Sequence, residues 1–116
     1  MPSVLKSTEF ILTARFEDPK SEQSISFFAL LAAMAAENIT FGTRIKVWEP
    51  NEEGVGLIWG NAPGARFDAY MQAIPALMDL HEMPQKYTVV VKTIREGSFG
   101  YTIDRSGIAR FVRKAK

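Results

Sequence analysis

No cysteine occurs anywhere in the chain, and histidine occurs once, as His81. The first absence removes disulfides, thiolate nucleophiles and cysteine-based metal sites. The second leaves too few ligands for the usual zinc site. Neither a metal nor a cofactor is therefore expected. Long hydrophobic runs are also missing. The longest, Phe27 to Ala36, is ten residues, which spans about 15 Å as a helix, roughly half a bilayer core. No membrane span is expected. The first residues, MPSVLKSTEF, lack both a long apolar region and a small-residue cleavage site, so the expected location is cytoplasmic. No Walker A motif, no G-x-G-x-x-G and no serine in a nucleophile-elbow context is present. An enzyme is accordingly the lowest-ranked reading.

What is present begins with that apolar run. FFALLAAMAA contains no β-branched residue and favours a helix. Asp18 is a candidate cap, Pro19 suits a first helical position and Glu22 complements the dipole. The expected helix covers Pro19 to Asn38. Ile25, Phe28, Ala32 and Ala35 form one stripe, and Phe27, Leu31 and Met34 another. A helix apolar nearly all round is expected to pack on a sheet and a second helix, or on another subunit.

Around it the chain reads as alternating short elements. Thr8 to Glu17 alternates as a strand, with Phe10, Leu12, Ala14 and Phe16 on one face. Thr43 to Glu49 and Val55 to Gly60 form a hairpin around PNEEG. NAPGA is read as a loop. A second helix follows from Pro63 to Glu82, with Phe67, Met71, Ile74, Met78 and His81 inward and a kink or break at Pro75. Tyr87 to Arg95 is a β-branched strand, and Phe99 to Asp104 with Ile108 to Arg113 is a final hairpin. The order β-α-β-β-α-β plus a hairpin defines the expected fold class. It is α+β, a ferredoxin-like βαββαβ two-layer sandwich with an appended C-terminal β-hairpin, an antiparallel sheet and both helices on one face. The expected unit is a single domain over residues 1–116, ending in a short basic tail, 114–116.

Charge is uneven. The net charge is +1, but residues 1–85 carry −5 and residues 86–116 carry +6. A basic C-terminal segment suits an anionic partner or complementary self-association. Arg95, Arg105, Arg110, Arg113 and Lys114 interleave with Phe99, Tyr101 and Phe111, a composition able to stack on bases and neutralise phosphates. A second candidate is the stretch Trp59 to Phe67. Read as a loop entering a helix, Gly60, Asn61, Gly64 and Arg66 offer close backbone approach, a cap, free N–H groups and a positive charge for a small anion. Other titratable groups have plainer readings. His81 is read as a partly buried or helix-terminal histidine, Glu52 and Glu53 as solvated loop carboxylates, and Asp104 as the ion-pair partner of Arg105.

Three functions follow from these features, in this order. The first is a non-enzymatic interaction protein, homodimeric, with an unidentified protein partner. The second is a nucleic-acid-binding module using the C-terminal hairpin. The third is a small-anion binder or small enzyme with its pocket at the 59–66 loop.

Overall fold

In a computed structural model the chain is described over residues 7–38, 45–94 and 99–112, the side chains of Ser7, Asn38, Phe99, Arg110, Phe111 and Val112 excepted. The elements are β1 (Ser7–Arg15), α1 (Glu22–Asn38), β2 (Lys46–Trp48), β3 (Val55–Pro63), α2 (Gly64–Leu80), β4 (Val89–Thr93), β5 (Phe99–Asp104) and β6 (Gly107–Val112). The fold is α+β. One sheet of six strands runs in the order β2-β3-β1-β4-β5-β6, and every pairing is antiparallel. The sheet is wider than a four-stranded βαββαβ unit, because β5 pairs with β4 and β6 with β5. Among the described residues no helix is long and apolar enough to cross a membrane.

The period-two alternation of β1 decides which face is buried. Phe10, Leu12, Ala14 and Phe16 all enter the core, with Ile58 and Ala62 from β3, Val89 and Val91 from β4, and Ile103 from β5. Phe27, Phe28, Leu31 and Ala35 of α1 and Phe67, Tyr70, Met71, Ile74, Leu77 and Met78 of α2 close that core from one side. The Tyr70 hydroxyl donates to the Leu31 carbonyl at 2.9 Å, joining the helices inside the core. Burial pushes this phenol well above its ordinary pKa, so it remains a donor.

Several local expectations are corrected. Helix α1 starts at Glu22, three residues later than Asp18-Pro19 suggested. Asp18 instead organises a turn, accepting from the Ser21 and Lys20 amides. Ser21 is the cap, its hydroxyl oxygen taking the Ser24 N–H at 3.1 Å. Ile25, grouped by spacing with Phe28, Ala32 and Ala35, is 55% exposed, and the outer side of α1 carries Ser26, Ala29 and Ala33. Pro75 neither ends nor splits α2, which runs uninterrupted through it. The inward stripe of α2 also includes Tyr70 and Leu77, which the spacing argument omitted; His81 is half-buried at the helix end, as expected.

Candidate interaction surface

The 59–66 loop does not exist. Gly60, Asn61, Ala62 and Pro63 continue β3, pairing with Phe10, Glu9, Thr8 and Ser7 of β1. Helix α2 begins immediately afterwards at Gly64, with Pro63 as N-cap and no side-chain cap bond. Asn61 is therefore not a cap, and its Oδ1 is buried without a hydrogen-bond partner. Arg66 is exposed in the first turn of α2, on a different element from Gly60 and Asn61.

Two described members of the basic hairpin, Tyr101 and Arg105, make contacts within the chain. The Tyr101 ring packs edge-on against Phe67 at 6.0 Å, on the helix side of the sheet. Arg105, at the β5–β6 turn, donates to the Met83 carbonyl at 2.8 Å and pairs with Asp79 near the end of α2. It does not pair with Asp104, as adjacency in sequence suggested. Asp104 Oδ1 instead accepts from the Ser106 hydroxyl and amide and from the Gly107 amide, which hold its carboxyl below the usual range. Arg110 stands opposite Tyr101 in the β5–β6 register and Phe111 opposite Gly100, while Phe99 opens β5. Arg95, Arg113 and Lys114 lie outside the described residues.

Arg105 acts as a latch between the last turn and the α2–β4 connection. Arg105→Ala is expected to lower stability by about 1–2 kcal/mol, and Asp79→Ala by less, since the Asp79 side chain is 71% exposed. Urea unfolding of both variants checks the order. Equal losses would mean that the Met83 contact contributes nothing.

The open face of the sheet is the surface that stands out. Neither helix packs against it. Registers place Trp48, Leu57, Thr13, Val90, Thr102 and Ala109 in one row across all six strands. Lys46, Trp59, Ile11, Lys92, Gly100 and the position of Phe111 form the next row. Trp59 is fixed in place. Its indole N–H donates to Glu9 Oε2 at 2.8 Å, and the Lys46 ammonium lies 6.0 Å from its ring centroid. Trp48 is 50% exposed on the three-residue edge strand.

A cleft that sequence reasoning missed lies at one end of the sheet. It has a volume of about 510 Å³ and is lined from both ends of the core, by Arg15, Phe16 and Ser24 on one side and by Met83, Lys86 and Tyr87 on the other. These residues are some seventy positions apart, which is why no local pattern announced it. Tyr87 stacks on Phe16 at 5.6 Å, and its hydroxyl is buried without a partner. Burial raises its pKa well above the phenol range, so it is a neutral donor and not a base. Among the described residues no cluster of three or more His, Asp or Glu side chains is placed to hold a metal.

Compared with protein-family models, with curated proteins and with solved structures, the chain matches none. The surface itself therefore carries the functional argument.

Proposed function

We propose that this chain is a non-enzymatic interaction protein that works as a homodimer through the open face of its sheet. The observation that carries the reading is the uncovered array of Trp48, Leu57, Trp59, Ile11 and Val90, which no element of the described chain overlies. Apolar surface presented in one contiguous patch is characteristic of a surface that meets a partner. Aromatic anchors with restricted rotamers, such as the hydrogen-bonded Trp59, lose little entropy on contact. The accompanying fold reading is a ferredoxin-like unit, β1 to β4, with β5 and β6 appended. The order β2-β3-β1-β4 within the sheet supports it. In that architecture helices cover one face and leave the other for a subunit or ligand.

The nucleic-acid reading of the C-terminal hairpin is weakened by the engagement of Tyr101 and Arg105 in intramolecular contacts. Trp48→Asp tests the dimer reading. The variant places a charge on an exposed edge strand, so folding should be unaffected. Loss of an aromatic anchor is expected to raise the dimer dissociation constant by at least about 30-fold, read by light scattering over a concentration series. A wild-type chain that stays monomeric at high micromolar concentration would overturn the proposal. So would salt-sensitive binding of a labelled single-stranded oligonucleotide that Trp48→Asp abolishes, because the face would then be a base-stacking platform.

A further inference from the structure

The open face is divided by size. On β2 and β3 it presents Trp48, Leu57 and Trp59 beside Lys46; on β5 and β6 it presents Gly100, Thr102 and Ala109 beside the position of Phe111. In the row of Trp48, bulk lies on the β2–β3 half and small residues on the β5–β6 half, and Gly100 leaves space in the row of Trp59. A symmetric pair of copies must match a patch to itself through a two-fold axis. Only some axes place bulk against space.

We infer that the dimer is formed by two sheets facing each other about a two-fold axis parallel to the strands and midway between β1 and β4. This rests on the dimer reading above and specifies its geometry. The axis lies at the centre of the six-strand order. It lays β2 of one copy over β6 of the second, β3 over β5, and β1 over β4. Trp48 then meets Ala109, Leu57 meets Thr102, Trp59 meets Gly100, and Lys46 meets the position of Phe111, each twice. An in-plane axis perpendicular to the strands would instead lay each strand over its own copy. That arrangement sets Trp48 and Lys46 against the same β2 residues of the second copy, Leu57 against Trp59, and Thr102 against Gly100, so large faces large and small faces small on β3 and β5.

Charge and area agree with the strand-parallel axis. It brings Ile11 over Lys92, and Glu9, two residues along β1, becomes the diagonal neighbour of Lys92 on the second copy. Glu9 Oε2 accepts from the Trp59 indole, which fixes the carboxylate beside the row that holds Lys92. Like charges do not coincide at these positions. Five strand spacings of about 4.8 Å and strands of about 20 Å give a flat area on the order of 500 Å² per copy. The accessible area of protruding side chains exceeds this projection and approaches the roughly 800 Å² per partner of a standard interface. The isologous pairing closes on itself, so it yields dimers and not filaments.

Cross-linking tests the geometry, and the absence of native cysteine makes it clean. Lys46→Cys on β2 and Ala109→Cys on β6 lie about 24 Å apart within one sheet, but on facing sheets about 10 Å apart they become diagonal neighbours. A short bis-maleimide reaches the second distance and not the first. The expected result is a covalent dimer from the double variant and none from either single variant. A covalent dimer from Lys46→Cys alone would place β2 over β2 and overturn this arrangement, while the homodimer reading would stand. A double variant that scatters as a dimer yet never cross-links would overturn the arrangement as well. A wild-type chain that scatters as a monomer would remove both.

Discussion

Phe10→Ala will remove about 3–5 kcal/mol of folding stability, whereas Ile11→Ala, one residue further on, will remove about 1 kcal/mol. The two neighbouring side chains lie on opposite faces of β1. Phe10 is fully buried at the centre of β1, its ring 5.4 Å from Phe67 and 6.0 Å from Tyr70. Truncation there leaves a cavity between the central strand and α2, where rigid rings on two sides limit collapse. A domain of this length holds on the order of 5–15 kcal/mol in total, so the loss is about a fifth or more of the whole. Ile11 lies half-buried on the open face, and its effect should appear in dimer dissociation. Urea unfolding of both variants by circular dichroism, in dilute solution, checks the contrast. Equal losses would mean that the open face is already packed within one chain, and the dimer argument would lose its basis.

The strongest sequence signals were those that repeat. Alternation in β1 and the 3- and 4-residue spacing of Phe67, Met71, Ile74 and Met78 both describe faces that the core buries. Readings failed where a single residue type was given too much weight. Asn61-Ala62-Pro63-Gly64 has the composition of a turn, yet Pro63 ends a strand opposite Ser7, where the missing amide costs no interior ladder bond. Asp18-Pro19 has the composition of a helix start, yet Ser21 supplies the cap bond. Pro75 reads as a break, but its position lies inside a helix whose buried face continues on both sides, at Ile74 and at Leu77 and Met78. Packing outweighs one absent hydrogen bond.

The candidate site was less legible, for a physical reason. A row across a sheet gathers one residue from each strand, so Trp48, Thr13, Val90 and Ala109 become neighbours through register alone. No window of sequence contains them. The same holds for Arg105, whose partners Asp79 and Met83 lie more than twenty residues upstream. Helix count and alternation suggest an open sheet face bearing Trp48, Ile11 and some of Val90, Ile94, Tyr101 and Phe111; the Tyr101 ring instead packs against Phe67 on the helix side. The division of the Trp48 row into a bulky and a small half required the strand order.

Gly54→Ala will destabilise the fold by about 2–4 kcal/mol, although it adds one methyl group to an exposed-looking turn. Gly54 adopts φ +84, a left-handed conformation that penalises any residue with a Cβ. Its Cβ would also collide with the carbonyl oxygen of Phe16. That backbone cannot simply move aside. The Phe16 amide donates to the Gly54 carbonyl at 2.8 Å, and the Phe16 ring is held by Phe27, Phe28 and Tyr87 at 5.6–6.4 Å. Relief of the collision therefore disturbs the aromatic cluster beside the cleft. Gly64→Ala is the control. Nothing lies within 4 Å of a Cβ there, and the position opens α2. Alanine at Gly64 is expected to be neutral or to stabilise by up to about 0.5–1 kcal/mol, since it reduces the freedom of the unfolded chain. Thermal melts of the two variants should move in opposite directions. If Gly54→Ala melts like wild type, the turn is not the rigid link between β3 and the end of β1 that these contacts describe, and the wall of the cleft at Phe16 must be held by α1 and Tyr87.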